Sequence, residues 1–318
     1  MSKIVFFGTP DYVVPVVDGL LRHFRTNANQ HPIEAVVTQP PKPTGRDQRM
    51  SYSPVDEWAY NKKIPKFFDP NDVIKEHVDV DLGVLASYGA IIPEEVINHF
   101  RYGILNIHPS LLPNWRGASP IQASLISGKV ITGVSIIKLD EKLDHGPIVS
   151  QFKDEILDSD TSESLKKRLF ERSGEVIPTL IDAYLAGKIT PKKQDEKSVT
   201  LARQIKKEDG FIPPQILDSV IKGKVLKDIK WEIPWMRIND EAFVLESTPS
   251  GVNNFVRAMY SWPVAWSTIK IKKQLMRIKI IKTHVSESQL SIDEVQLEGK
   301  SVVSWKQFCE GYPDFKLC

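Results

Sequence analysis

An amide and an imidazole stand two residues apart in the segment ILNIH, at Asn106 and His108. The apolar residues around them predict a buried β-strand, and side chains two apart on a strand point to the same face. Both groups can then donate to one small oxyanion. Two carboxylates, Asp140 and Asp144, follow the next strand-like run, and one of them could orient the charged imidazole. This set of groups predicts acyl transfer through a tetrahedral intermediate.

A single His at a strand end is more often structural than catalytic, so the segment that follows matters. His108 leads into PSLLP, which is apolar and stiffened by two prolines. Such a segment is suited to wall a flat aromatic ligand. Together with the carboxylates, it favours a catalytic role for His108.

Other chemistries find no support in the motifs. A G-x-S-x-G elbow is missing, which argues against a hydrolase triad. Neither HExxH nor CxxC occurs, so we expect no metal site. The segment GTPDYVVP has neither the dinucleotide fingerprint nor a Walker A loop, and a redox cofactor is not expected.

Apolar runs alternate with helical patterns in the first half of the chain. This alternation predicts an α/β fold with a Rossmann-like, mostly parallel sheet covered by helices on both faces. Ligands of such sheets bind beyond the carboxyl ends of the strands, where Asn106 and His108 are expected. The runs are IVFF (4–7), IEAVVT (33–38), DLGVLAS (81–87), GILNIH (103–108) and TGVSIIKL (132–139).

A length of 318 residues makes two domains the natural expectation. We predict a catalytic domain at 1–187, a polar linker at 188–205 and a smaller C-terminal module at 206–318. Short β-like runs such as AWSTIKI and LMRIKIIK in the last region predict an OB-like β-barrel.

Two basic segments leave alternatives open. KIKKQLMRIKIIK (270–282) has six basic residues and no acidic one, which fits a solvated strand face and a polyanion-binding face equally well. TQPPKPTGRDQRMSYSP (38–54) carries Lys42, Arg46 and Arg49. Its prolines and glycine predict an irregular loop, either a clamp on an anionic substrate or a solvated insertion.

The composition is that of a soluble globular protein, with 41% hydrophobic and 26% charged residues and a net charge of +2. There is no run of about 18 apolar residues and no recognisable secretory signal. The two cysteines, Cys309 and Cys318, do not make a disulfide framework or a metal cluster, so a reducing cytoplasm is the simplest setting. No heptad pattern suggests assembly, and we expect a monomer.

Several quoted segments resemble one known family. NIHPSLLP, followed by LDEKLDHGP, resembles the catalytic core of the 10-formyltetrahydrofolate-dependent formyltransferases. FFGTPDYVVPVV and VVTQPPKPTGR resemble segments of its methionyl-tRNA branch. SYGAIIP and LLPNWRGASPIQ are more similar to that branch than to the glycinamide-ribonucleotide or sugar-nucleotide branches. KKEDG and NFVRAMYSWPVAW are similar to the C-terminal domain of that branch, so the resemblance runs nearly end to end.

The resemblance implies roles for individual residues. Asn106, His108 and Asp144 fall on the catalytic trio. The implied folate-binding residues are Ser110, Leu111, Leu112, Pro113, Tyr88, Gly89, Asp140 and Leu143. The implied tRNA-binding residues are Lys42, Arg46, Arg49, Lys206 and Lys207. The co-substrate would be 10-formyltetrahydrofolate, with no metal, and the acceptor would be the methionine of initiator methionyl-tRNA.

The chain departs from the family pattern at a few positions. Asn114 stands where a basic residue is expected, Lys142 where Gly is expected and His145 where Thr is usual, and the segment 211–253 is longer than expected. Two alternatives stay open. One is a formyltransferase acting on a nucleotide-linked amino sugar or another small amine, and the other is a folate- or RNA-binding module without activity.

Overall fold

The structure is a computed structural model that describes residues 3–25, 31–45, 47–224 and 229–318. The chain divides into two compact units. The first unit comprises Met1–Pro113, Gly133–Asp154 and Lys166–Lys197, and the second comprises Asn114–Thr132, Glu155–Leu165 and Ser198–Cys318.

The secondary structure of the described residues alternates early in the chain and is richer in strands later. The strands are β1 (Ile4–Gly8), β2 (Ile33–Val37), β3 (Lys42–Thr44), β4 (Arg49–Ser51), β5 (Lys66–Phe67), β6 (Leu82–Ala86), β7 (Ile104–His108), β8 (Ile131–Lys138), β9 (Ile148–Glu155), β10 (Thr200–Ala202), β11 (Trp231–Ile238), β12 (Glu241–Leu245), β13 (Ala265–Ile271), β14 (Gln274–Ser286), β15 (Gln289–Leu297), β16 (Val302–Ser304) and β17 (Lys316–Leu317). The helices are α1 (Val14–Phe24), α2 (Pro54–Lys62), α3 (Asp72–Lys75), α4 (Glu94–His99), α5 (Pro120–Ile126), α6 (Ser162–Leu185), α7 (Pro214–Ile221), α8 (Pro249–Met259) and α9 (Trp305–Gly311).

One mixed sheet organises the first unit, in the order β5-β2-β1-β6-β7-β8-β9. The neighbours from β5 to β7 are parallel, whereas β8 runs antiparallel to β7. Every residue of β1 and β7 is buried, as continuous apolar runs in a covered parallel sheet should be. The predicted Rossmann-like, mostly parallel sheet is therefore confirmed.

An apolar core packs strands of this sheet against short helices. Its members are Val5, Phe7, Ala35, Val37, Val73, Val80, Tyr88, Ile92, Val96, Ile97, Phe100 and Ile104. Two longer helices, α1 and α6, approach each other at Gly19 and Gly174. A Cβ atom on Gly19 would lie 2.3 Å from the carbonyl oxygen of Gly174, so a larger residue there would force the helices apart.

The basic segment at 38–54 is more regular than predicted. β3 and β4 form an antiparallel hairpin in which Lys42 is opposite Ser51 and Thr44 is opposite Arg49. The prediction of an irregular loop was wrong because Pro43 can occupy a hairpin strand when that strand has no further neighbour needing its N–H. Gly45, with φ of 70°, begins the turn.

The second unit is rich in antiparallel strands, as predicted. Its sheets have the orders β10-β11-β12 and β16-β15-β14-β13-β17. Helices accompany these strands, which the strand patterns did not indicate. In α8, Thr248 caps the first turn by accepting from the N–H of Gly251, and the buried face packs on α5 and β14.

Among the described helices, none combines the length and apolar character that crossing a membrane would require.

Candidate active site

β7 presents the predicted amide and imidazole from the middle of the sheet. Asn106 and His108 lie on this strand, which pairs with β6 on one side and β8 on the other. Both side chains are buried, with 7% and 4% of their surface exposed. Buried polar groups need partners, so their surroundings define what they can do.

Asp144 joins these two side chains from the loop after β8. Because β8 is antiparallel to β7, with Leu105 opposite Lys138, the loop begins beside the start of β7 and returns toward its end. The Asn106 Nδ2 group donates to Asp144 Oδ1 at 3.3 Å. The same oxygen lies 3.5 Å from His108 Nδ1. The structure therefore brings the three residues of the predicted trio together around one carboxylate oxygen.

The apolar segment after His108 is held by a polar network that the sequence analysis missed. Ser135 lies on β8 opposite His108 and is fully buried. Its hydroxyl donates to the Ser110 carbonyl at 2.6 Å and accepts from the Leu112 N–H at 2.9 Å. The Gln151 amide donates to that hydroxyl at 2.8 Å and to the Leu112 carbonyl at 2.9 Å. The sequence feature that could have indicated this network is the serine within the otherwise apolar run TGVSIIKL.

The residues predicted to bind folate occupy several environments. Ser110 and Leu112 are buried, Leu111 and Pro113 are half-buried, and Leu143 is 73% exposed. Asp140 is half-buried and accepts from the ring of His145 at 2.6 Å.

Tyr88 and Gly89 follow β6. The ring of Tyr88 is buried edge-on against Phe7, and its carbonyl accepts from the Thr9 hydroxyl at 2.8 Å. Burial, aided by the charge of Asp69, raises the pKa of Tyr88 to about 12, so the phenol is neutral at physiological pH. The Tyr88 side chain is thus part of the core, while Gly89 is exposed and turns the chain with φ of 86°.

A cavity of about 240 Å³ lies beside the start of β7 and the end of β8. Of the residues predicted to bind folate, Asp140 lines it. Its other walls are Glu94, Ile97, Asn98, Phe100, Gly103, Lys138, Leu139 and Glu141. The walls thus combine the apolar side chains of Ile97, Phe100 and Leu139 with several charged ones.

The predicted tRNA-binding residues fall on two separate segments. Lys42 and Arg49 are exposed on the β3–β4 hairpin, whereas Arg46 lies outside the described residues. Lys206 and Lys207 are exposed at a short 3-10 turn of the second unit. The backbone N–H of Lys206 donates to Asp209, which also pairs with Arg203 at 2.8 Å.

No group of three or more His, Cys, Asp or Glu side chains is arranged to hold a metal ion in the part of the chain that the structure describes.

The sequence matches one known class of proteins. The sequence profile described as formyl transferase matches residues 2–181. The chain therefore belongs to the formyl transferase family, as its motifs predicted.

Individual relatives extend this match to nearly the whole chain. The methionyl-tRNA formyltransferase of Thermodesulfovibrio yellowstonii is 33% identical, over 98% of this chain and 96% of that relative. Solved structures share the fold. The N-formyltransferase from Helicobacter canadensis in complex with folinic acid and dTDP-3-aminofucose has a TM-score of 0.61, with 16% identity over 96% of this chain and 99% of that one. The methionyl-tRNA formyltransferase from Clostridium thermocellum has a TM-score of 0.55, with 17% identity over 93% and 99% of the two chains.

Proposed function

We propose that this chain transfers the formyl group of 10-formyltetrahydrofolate to the α-amino group of methionine on initiator methionyl-tRNA. The observation that supports the chemistry is the position of Asn106 Nδ2 and His108 Nδ1, which both lie within 3.5 Å of Asp144 Oδ1. All three residues are buried. Full-length similarity to relatives named methionyl-tRNA formyltransferase supports this choice of acceptor.

Asn106 and His108 stabilise the charge that develops on the formyl oxygen when the amine adds to the formyl carbon. The Asn106 amide nitrogen carries two hydrogens and the His108 ring has two nitrogens, so each side chain can contact Asp144 and still donate an N–H to the oxyanion. One such donor is typically worth about 10²–10³ in rate.

Asp144 orients the imidazole and takes up the proton that the amine loses on becoming an amide, directly or through a water molecule. The bond between the formyl carbon and N10 breaks, N10 gains the proton that Asp144 took up, and the products are tetrahydrofolate and N-formylmethionyl-tRNA. These steps need side-chain donors and one base, so the proposed reaction requires no metal.

The folate would lie against the segment Ser110–Pro113 and the loop that carries Asp140 and Leu143. The network of Ser135 and Gln151 fixes the first of these walls, and the cavity beside Phe100 and Leu139, whose walls are both polar and apolar, could take part of a heterocycle.

Cationic side chains supply the contacts to tRNA in this proposal. They are Lys42, Arg46 and Arg49 in the first unit and Lys206 and Lys207 in the second. The module 206–318, with its basic β13–β14 hairpin, would contribute further phosphate contacts.

Transfer of labelled formyl from 10-formyltetrahydrofolate tests the function directly. We expect formylation of initiator methionyl-tRNA, and none of uncharged tRNA or methionine. A nucleotide-linked amino sugar is the competing acceptor. If it is formylated more efficiently than methionyl-tRNA, the choice of acceptor is wrong while the chemistry stands; formylation of neither acceptor would reject both.

A further inference from the structure

The loop that carries Asp144 contains an uncommon backbone conformation. Asp144 has φ of 49°, in the left-handed region that residues other than glycine occupy rarely. Two residues later the loop crosses its own beginning, because a Cβ atom on Gly146 would lie 1.9 Å from the Lys138 carbonyl oxygen. The position of the Asp144 carboxylate depends on this turn.

Gln194 contacts the turn on both sides of His145. Its Nε2 group donates to the Asp144 carbonyl at 2.8 Å and to the Gly146 carbonyl at 2.9 Å. A carboxamide nitrogen carries two hydrogens, so one side chain can serve both carbonyls. Gln194 thereby ties together the two ends of the left-handed turn.

The segment that carries Gln194 is itself anchored to the same unit. The Lys192 and Ile148 backbones exchange hydrogen bonds of 2.7 and 2.8 Å. Gln194 therefore approaches the loop from a fixed position two residues beyond this bridge. The sequence analysis treated 188–205 as a linker and gave Gln194 no role.

We propose that Gln194 is a positioning residue: it holds the backbone of Asp144 in the left-handed turn and so sets the carboxylate against Asn106 and His108. This inference rests on the proposed function, in which Asp144 contacts the reacting groups. A small displacement of a catalytic group can cost up to about a hundredfold in rate. Because Gln194 acts through Asp144 and not on either substrate, its loss should reduce turnover and leave substrate binding unchanged.

The test replaces Gln194 with Met, which is of similar length but cannot donate. We expect kcat to fall about tenfold or more, with KM for 10-formyltetrahydrofolate and for methionyl-tRNA within about twofold. Gln215→Met, on the exposed side of α7, is the control and should leave kcat unchanged. Gln194→Glu also lacks the donor and serves if the Met variant does not fold. Unchanged kcat, or a raised folate KM alone, would overturn the proposal.

A double-mutant cycle with Asp144→Asn separates positioning from a general structural effect. If Gln194 acts through Asp144, Gln194→Met should lower kcat by no more than about twofold in the Asp144→Asn background. An equal loss in both backgrounds would reject the proposal. The Asp144→Asn variant alone distinguishes a failure of this inference from a failure of the proposed function. If Asp144→Asn lowers kcat while Gln194→Met does not, the proposed function stands and this inference fails. Full turnover in Asp144→Asn would remove Asp144 from the mechanism, and the inference with it.

Discussion

Two polar regions of this protein use opposite strategies. In the first unit, Asn106, His108 and Asp144 are buried, and the first two each lie within 3.5 Å of the Asp144 carboxylate. In the second unit, Lys270, Lys272 and Lys273 are exposed around the β13–β14 turn. A buried cluster depends on exact partners, whereas exposed cations act through summed charge that salt screens. A single substitution in the first region should therefore abolish most of its function, whereas each substitution in the second region should weaken its binding only in part.

The largest effect is expected at the buried trio. His108→Ala and Asp144→Asn should each lower kcat about 10²–10³-fold, because in the proposed mechanism each removes a group that contacts the reacting atoms. Single-turnover formylation at saturating substrates measures this, with circular dichroism to confirm that the variants fold. His23 and Asp182 form a 2.7 Å pair on the surface of the same unit, and Asp182→Asn is the matched control. Comparable losses in trio and control would refute the special role of burial.

The network under the PSLLP segment should show a smaller, substrate-specific effect. Ser135→Ala leaves the Leu112 N–H without its present acceptor, costing about 1–3 kcal/mol of folding stability. If the segment lines the folate site as proposed, loosening it should also raise KM for 10-formyltetrahydrofolate about tenfold. Steady-state kinetics and thermal unfolding measure the two effects.

Ser267 provides the control for that substitution. It is also fully buried, and its hydroxyl donates to the Ile212 carbonyl at 2.8 Å in the second unit. Ser267→Ala should lower stability similarly and leave the folate KM unchanged. A rise in folate KM for both variants would mean that general destabilisation, and not the PSLLP segment, is responsible.

The exposed cations should affect tRNA affinity and depend on salt. Reversing Lys270, Lys272 and Lys273 to Glu should raise KM for methionyl-tRNA about tenfold at low ionic strength and less at high salt, with kcat unchanged. Reversal of Lys62, Lys167 and Lys306, which are also exposed, makes the same change in net charge and should have a smaller effect. Equal effects would show that net charge alone attracts the tRNA, and a lowered kcat would contradict the comparison.

Sequence patterns predicted the parts of this molecule that depend on local periodicity. The continuous apolar runs predicted the sheet, and the spacing of Asn106 and His108 predicted their shared face. Periodicity does not state strand direction, so the antiparallel β8 and the returning loop were not foreseen. The contacts of Ser135 depend on cross-strand register, and those of Gln194 join residues 50 apart in the chain. The helix α8 was not predicted because strand-like runs flank it on both sides and favoured an all-β module.

His145 is intermediate in exposure between the buried trio and the exposed cations, and its substitution should show the smallest effect. Its ring lies 2.6 Å from Asp140 and 3.6 Å from Glu196, but it is 34% exposed, and such pairs contribute less than about 1 kcal/mol. The family resemblance leads us to expect Thr here, so His145→Thr should change kcat by less than about threefold. The backbone of Asp144 would still be held by Gln194. A loss of kcat as large as that of Gln194→Met would instead show that the His145 ring fixes the loop, and that partial exposure does not weaken a contact beside this site.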